Sequence, residues 1–177
     1  MIIGLIGAPE AGKDDVVAYV LGQHDFARFA FADQIKKCYY DEIGITDEYF
    51  KSCRGTPEER KIREGLWEFS DKKRKLKGPM VFIDPVIDEI KKQENAVITD
   101  IRTEDELKKV SEIADFILLV VRDPDVLFNH GNEMFPETRI PLWKICNCPV
   151  FMNISNSLEE ARKDFDIYYQ RLLGGEP

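Results

Sequence analysis

The stretch Gly7-Ala8-Pro9-Glu10-Ala11-Gly12-Lys13-Asp14-Asp15 decides how this chain is read. An apolar run, Ile2-Ile3-Gly4-Leu5-Ile6, precedes it, and Val16-Val17-Ala18-Tyr19-Val20-Leu21, with few helix breakers, follows. Strand, glycine-bounded loop, lysine and helix, in that order, are the context a phosphate-binding P-loop requires. The four residues between Gly7 and Gly12 let the backbone curl so that its N–H groups face inward. A helix starting near Lys13 adds the positive end of its dipole, and the Lys13 ammonium can reach the outer phosphates. A purely structural glycine turn explains Gly7 and Gly12 but not a lysine at this offset behind an opening strand. In the usual pattern the residue after the lysine is Ser or Thr, whose hydroxyl holds Mg²⁺. Here it is Asp14.

A length of 177 residues fits one domain with a single sizeable core. With 44% hydrophobic and 33% charged residues the chain is an ordinary globular mixture, without disordered or collagenous bias. A net charge of −8 argues against gripping a nucleic-acid polymer, whereas a small phosphorylated molecule needs only local cations. No apolar run is long enough to span a bilayer, so no membrane association is expected. Met1-Ile2-Ile3 has no basic segment ahead of it, and cleavage of a signal peptide would destroy the loop, so a cytoplasmic location is expected. Cys38, Cys53, Cys146 and Cys148 are then expected as free thiols. Cys146-Asn147-Cys148 is too closely spaced for a CxxC motif, and His24 and His130 are the only histidines, which leaves little for a metal site of that kind.

Strand and helix patterns alternate, which argues for α/β with a parallel sheet. Strands are expected at Ile2–Ile6, Phe26–Ala30, Ala96–Asp100, Phe116–Val121 and Val150–Ile154. Phe116-Ile117-Leu118-Leu119-Val120-Val121 is apolar on both faces, as a central parallel strand should be. Helices are expected from about Lys13 to Leu21, from Ala32-Asp33 through Tyr40, from Met80 to Lys92, after Thr103, and from Ser157 to Gly174-Gly175. The polar section Thr46–Gly78 is helical in composition, with a helix start at Thr56-Pro57-Glu58-Glu59 and an apolar face at Ile62, Leu66 and Phe69. Five strands with helices on both faces make a doubly wound domain whose ligands sit at the carboxyl ends of the strands.

The sequence places a consistent set of groups at those ends. After the first strand come Lys13, Asp14 and Asp15; after the second, Asp33 with Lys36 one turn on; after the third, Asp100-Ile101-Arg102; after the fourth, Arg122-Asp123; after the fifth, Asn153. Acids there suit Mg²⁺ and its waters, and arginines suit phosphate oxygens because the guanidinium fork binds two at once. Each has a plain alternative. Asp33 can be only a helix N-cap or first-turn acid, Asp100 an acid capping the next helix, and Arg63, Arg74 and Arg102 solvated surface charges.

Taken together, these residues resemble the deoxynucleoside monophosphate kinases of bacteriophages, within the nucleoside monophosphate kinase group, with the phosphomevalonate kinase of animals as a relative. Gly12-Lys13-Asp14 matches that group's variant of the P-loop, and Val97-Ile98-Thr99-Asp100-Ile101-Arg102 matches its Asp-x-Arg element. Phe31-Ala32-Asp33-Gln34-Ile35-Lys36 resembles its substrate-side motif, and Arg63 through Arg74 its substrate-domain helix with an arginine at each end. Asn153 and Ser155-Asn156-Ser157-Leu158-Glu159-Glu160 resemble its last strand and nucleotide-base loop. Asp15 departs from the family, which often has Thr there, as do Trp67 and Ser70, where Gln and Gly are common.

The resemblance implies a P-loop NTPase fold of the nucleoside monophosphate kinase type, with a five-stranded parallel sheet. Within a single domain over residues 1–177, 46–78 would be a helical substrate-binding insertion and 123–141 a lid. The implied activity is ATP-dependent phosphorylation of a nucleoside monophosphate, pointing to a deoxynucleotide. Gly7, Ala8, Pro9, Glu10, Ala11, Gly12 and Lys13 would hold the ATP phosphates, with Asp14, Asp15 and Asn153 completing the nucleotide site. Asp14 or Asp100 would hold Mg²⁺ directly or through water. Asp33, Lys36, Arg63, Arg74, Asp100 and Arg102 would serve the acceptor. Lys13, Arg102, Arg122 and Arg139 would carry the catalytic charge. The expected partner is a small nucleotide; a homodimer is compatible, the oligomeric state being unfixed by the sequence. Two other readings remain: a kinase for another small phosphate ester such as phosphomevalonate, and a P-loop protein that binds nucleotide without turnover.

Overall fold

The structure is a computed structural model and describes residues 1–8, 10–122, 140–141, 144–145 and 147–174. Five strands, β1 (Ile2–Ile6), β2 (Ala27–Phe29), β3 (Ala96–Ile98), β4 (Phe116–Val121) and β5 (Val150–Met152), form one parallel sheet in the order β2-β3-β1-β4-β5. The register pairs Ile3 with both Val97 and Phe116, Arg28 with Val97, and Val120 with Phe151. This is the P-loop NTPase architecture expected from the sequence. β1 and β4 lie inside the sheet, where both faces are covered, and accordingly read as unbroken apolar runs. The edge strands β2 and β5 are three residues each, short enough to limit an exposed hydrogen-bonding edge. Three strands are shorter than their apolar runs suggest: β2 stops before Ala30, β3 before Thr99 and β5 before Asn153. Among the residues left to the loops, Asp100 and Asn153 are the polar ones the site draws on.

The chain divides into two compact units, one comprising Met1–Phe29 and Ile90–Pro177, the other Ala30–Glu89. The first contains the sheet, and its core runs through Ile3, Leu5, Val17, Leu21, Val97, Leu118, Val120, Phe151 and Phe165. A π-helical turn, Lys13–Ala18, continues without a break into α1 (Tyr19–Gln23). A later helix, α6 (Glu104–Ser111), starts with a complete capping box, Thr103 accepting from the Glu106 amide and Glu106 reaching back to Thr103. The last, α7 (Leu158–Leu172), is capped by Ser157.

The second unit is helical: α2 (Phe31–Ile43), α3 (Asp47–Ser52), α4 (Pro57–Lys77), a 3₁₀ turn at Pro79–Phe82 and α5 (Ile83–Ile90), whose last residue already belongs to the first unit. Thr46 and Thr56 cap α3 and α4, and Pro57 occupies the first turn, where its missing N–H costs nothing. A small core joins Tyr40, Cys53 and Ile62. The segment Thr46–Gly78 lies inside this unit. The single helix expected over Met80–Lys92 is instead a 3₁₀ turn followed by α5. Pro85 supplies the reason: it lacks an amide donor and is tolerated only in a first turn, so the α-helix starts at Ile83. Cys38, Cys53 and Cys148 are free thiols; Cys146 lies outside the described residues. Among the described residues no helix is long and apolar enough to cross a membrane.

Candidate active site

The loop between β1 and the helix is held by its own backbone and by the sheet beside it. Gly12 has φ 98°, a left-handed conformation that side chains other than glycine rarely adopt. Its carbonyl accepts from the amides of both Val16 and Val17, which starts the π-helical turn. Glu10 also has a positive φ, 62°, and the Ala11 amide closes a turn onto the Ala8 carbonyl at 3.3 Å. Gly7 packs under β4: a β-carbon there would stand 2.5 Å from the Val120 carbonyl oxygen. Only a glycine lets the loop leave β1 so close to its neighbour strand.

Lys13 is buried, at 8% exposure, and its Nζ donates to the carbonyl oxygens of Gly7 at 2.7 Å and Ala8 at 2.6 Å. An ammonium there is held by the loop that a phosphate would approach. The first amides of a helix lack intrahelical acceptors, so those at the start of this one can bind an anion. Asn153, just beyond β5 and 5% exposed, donates through Nδ2 to the Ala11 carbonyl at 2.9 Å, while its own amide donates to Val121 at 2.7 Å. Asn153 thus ties the last strand to the crest of the loop. Arg122, at the end of β4 and exposed, donates through Nη1 to the Glu10 carbonyl at 3.5 Å. These contacts gather Lys13, Arg122 and Asn153 on one loop.

Asp14 and Asp15 occupy the first turn of the helical segment and are exposed. The Asp14 carboxylate pairs with the Nε of Arg28, in the middle of β2, at 2.6 Å. The Asp15 carbonyl accepts from the Nε of Arg162 in α7 at 2.9 Å, and that guanidinium lies 3.5 Å from the centre of the Tyr19 ring. Sequence reasoning misses both arginines. Arg28 carried one local signal, a charge inside an otherwise apolar strand; Arg162 carried none, because its partners lie at the far end of the chain.

Asp100 follows β3 and is 8% exposed, and the Ile101 amide donates to Leu5 on β1 at 3.3 Å. It does not cap α6, since Thr103 does. Arg102 is exposed, and its amide donates to Glu106 at 2.8 Å. Glu106 is buried, and burial pushes its carboxyl above the ordinary range, with the Asp100 charge acting in the same sense against the Arg102 and Thr103 amides.

In the second unit Asp33 is a first-turn acid of α2, whose N-cap is Ala30, and Lys36 pairs with it at 3.1 Å. Arg63 donates through Nε and Nη2 to Glu59 at 2.8 and 2.6 Å and lies over the Phe50 ring. The Gly55 amide, and after it the Arg63 guanidinium, hold the Glu59 carboxyl below its ordinary range. Arg74 donates to Ser70 at 3.4 Å and lies over the Phe82 ring. Arg63 and Arg74 share one face of α4, about 16 Å apart along the axis at 1.5 Å per residue. Arg63 leans back toward Glu59 and Arg74 toward Ser70, so the helix does not bring the two guanidinium groups together. Arg139 and most of the segment 123–141 lie outside the described residues, as does Pro9.

Among the described residues no group of three His, Cys, Asp or Glu side chains could hold a metal ion by itself. Mg²⁺ does not need one: it is commonly bound through one or two carboxylates, with substrate phosphates and waters completing the octahedron. Asp14, paired with Arg28, and Asp100, just beyond β3, are the carboxylates the sequence offers for it.

No protein-family model matches the chain, and no curated protein does. Among solved structures it is similar to TT1252 from Thermus thermophilus, at 17% identity over 97% of this chain and 97% of that one, with a TM-score of 0.54. It is also similar to shikimate kinases from Aquifex aeolicus, at 16% identity over 99% of this chain and 100% of that one with a TM-score of 0.47, and from Bacteroides thetaiotaomicron, at 15% identity over 98% of each with a TM-score of 0.42. At these identities a likeness speaks to fold alone, and the TT1252 match shows that likeness of fold nearly end to end.

Proposed function

We propose that this chain is an ATP-dependent kinase that transfers a phosphoryl group to a nucleoside monophosphate, with a deoxynucleotide as the preferred acceptor. The observation that carries the reading is the Lys13 loop: a glycine-bounded turn leaving β1, with its lysine seated against the Gly7 and Ala8 carbonyls. The likeness of Gly12-Lys13-Asp14 and Asp100-Ile101-Arg102 to the phage-type enzymes supports the choice of acceptor.

In this reading the loop amides and Lys13 bind the β- and γ-phosphates of ATP, and Asn153 keeps the loop in register. Arg122 and Arg102, with Arg139, provide cations around the transferring group. Asp33, Lys36, Arg63 and Arg74 on the helical unit bind the acceptor. An oxygen of the acceptor phosphate forms the new bond to the γ-phosphorus while the bond to the bridging oxygen of ADP breaks. Such transfer depends mainly on alignment and on neutralising charge, which this residue set supplies. Mg²⁺, when bound with the nucleotide, would neutralise phosphate charge beside Asp14 and Asp100. The substrate is a small nucleotide rather than a polymer, and the place of action is the cytoplasm.

A coupled ADP-release assay across a panel of ribo- and deoxynucleoside monophosphates, with phosphomevalonate included, tests this. A nucleotide that raises ADP formation well above the water background is the expected result. Stimulation by phosphomevalonate alone moves the acceptor to a non-nucleotide ester. Tight ATP binding with no stimulated turnover favours a nucleotide-binding protein without catalysis, a reading that the two exposed carboxylates of the first helical turn, Asp14 and Asp15, keep in play.

A further inference from the structure

We propose that Arg28 is a positioning residue of the nucleotide site: it neutralises Asp14, so that a P-loop carrying a carboxylate in place of a hydroxyl can still accept a triphosphate. This rests on the reading of the Lys13 loop as the ATP site.

A hydroxyl directly after the P-loop lysine is neutral and can face phosphate and metal together. A carboxylate has the wrong charge for the first task. Asp14 stands one residue from Lys13, in the first turn of the helix whose amides face the loop. Left bare, it would repel an incoming triphosphate at short range, and a few ångströms from a surface that repulsion lowers affinity about tenfold or more. The fold places a cation against it. Arg28 comes from β2, at the sheet edge, and its Nε lies 2.6 Å from Asp14 Oδ1.

Stability does not account for this pair. Its side chains are 43% and 51% exposed, and exposed pairs contribute about 0–1 kcal/mol. The strand does not need Arg28 for packing either, since it is the exposed residue between half-buried Ala27 and Phe29. What the pair changes is the charge beside Lys13. Asp14 and Arg28 together are near neutral, as the usual hydroxyl is, and the carboxylate is drawn toward β2.

The assignment predicts coupling between the two residues in nucleotide binding. Affinity for ATP, with and without Mg²⁺, is measured by calorimetry for the wild type, Arg28→Ala, Arg28→Lys, Asp14→Ser and the double variant Asp14→Ser/Arg28→Ala, with Lys13→Ala as the control for the site itself. Thermal unfolding of each variant confirms that it is folded. Arg28→Ala is expected to weaken Mg²⁺-free ATP about tenfold, and MgATP less, because the cation offsets the bare carboxylate. Arg28→Lys is expected to recover most of the loss, since charge rather than fork geometry is what Asp14 requires. In the Asp14→Ser background Arg28→Ala should have little further effect.

An equal loss in both backgrounds would overturn the proposal, because Arg28 would then contact phosphate on its own account. It is also overturned if Arg28→Ala leaves affinity unchanged while Lys13→Ala abolishes binding; the ATP-site reading then survives. If Lys13→Ala is also silent, the ATP-site reading fails and this inference with it.

Discussion

Asn153→Asp is the substitution whose consequence follows most directly from the geometry of the loop. The new side chain has nearly the same shape, but a carboxylate oxygen replaces the amide group that donates to the Ala11 carbonyl at 2.9 Å. Asn153 is 5% exposed and Ala11 2%, so water cannot easily take over either group. Losing the bond and leaving the carbonyl unsatisfied costs roughly 1–3 kcal/mol. The introduced carboxyl must then stay charged beside a carbonyl dipole or take up a proton, and each unit by which its pKa rises costs about 1.36 kcal/mol of ionised stability. Together the loss at pH 7 is about 3–4 kcal/mol, a large share of the 5–15 kcal/mol typical of a domain. The pH dependence separates this account from a simple packing defect. An acid whose pKa is raised by folding favours the folded state below its unfolded pKa of about 3.9, and that contribution is lost as pH rises through the folded value. Protonated, the carboxyl can donate its O–H to Ala11 and restore the missing bond. The deficit of the variant against the wild type is therefore expected to stay level at high pH and to shrink as pH falls through the folded value toward about 4 in urea unfolding, while nucleotide affinity at neutral pH falls at least tenfold. A deficit below about 1 kcal/mol at pH 7 would refute the reasoning. So would one that grows on acidification, because the loop amides rather than the Ala11 carbonyl would then dominate the surroundings of the carboxyl.

Three further perturbations test other parts of the structure. Gly7→Ala drives a β-carbon to 2.5 Å from the Val120 carbonyl and 3.3 Å from Lys13 Cδ; chemical unfolding should show a loss of about 1–3 kcal/mol and calorimetry a weakened ATP site, whereas wild-type values of both would mean the loop is not tied to β4 as described. Tyr40 has a buried hydroxyl without a hydrogen-bond partner among the described residues, and burial, followed by the Asp47 charge, pushes it up to about 12; Tyr40→Phe is expected to be neutral or to stabilise by up to about 1 kcal/mol, and a loss beyond that would reveal a partner for the hydroxyl. Glu106 has its carboxyl raised, first by burial, so its contribution favours the folded state in acid and declines as pH rises; Glu106→Gln keeps a carbonyl acceptor for the Arg102 and Thr103 amides, and its melting temperature relative to the wild type should therefore improve between pH 5 and pH 8, the opposite trend counting against a buried, raised acid.

The sheet was legible in the sequence because its signals are local. Phe116–Val121 is apolar on both faces, and only a central parallel strand requires that; Thr56-Pro57 and Thr103 with Glu106 announce helix starts through hydrogen bonds within four residues. The boundaries failed where an apolar residue continues past the last ladder bond, as at Ala30 and Ile154, because hydrophobicity does not report where pairing stops. The Lys13 loop was legible for the same local reason, its spacing being its mechanism. The long-range contacts around the loop were not. Arg28 meets Asp14 across 14 positions, and Arg162 meets Asp15 across 147. No periodicity encodes them, since they depend on which strand neighbours which. On the helical unit, Arg63 and Arg74 are spaced for one face of α4, and spacing alone suggests that they act together. Their partners, Glu59 and Ser70, turn the side chains into separate environments.

The acids after Lys13 have a double consequence that neither sequence nor fold states alone. A carboxylate in the first turn of a helix stabilises it by about 0.3–1 kcal/mol through the helix dipole. Asp14 and Asp15 therefore favour the loop and its helix before any ligand arrives, whereas Ser or Thr at Asp14 would contribute through capping at most. In the proposed ATP site, the same two charges would oppose a triphosphate, and the first-turn amides they favour would be needed by the phosphates. In that reading the loop is biased toward stability over phosphate affinity, and a cation from elsewhere in the fold can correct the bias at one of the two acids. At Asp14 that correction is Arg28, on the side chain itself. At Asp15 the neighbouring arginine, Arg162, is bound to the backbone carbonyl and stacked on Tyr19, so the carboxylate is not its target. Among the described residues the uncorrected charge is therefore at Asp15. Asp15→Thr should strengthen Mg²⁺-free ATP binding several-fold in calorimetry, more than it strengthens MgATP binding, and lower the thermal midpoint slightly. Weaker nucleotide binding in that variant would mean that Asp15 serves the ligand rather than the helix, and the assignment of the two acids would have to be exchanged.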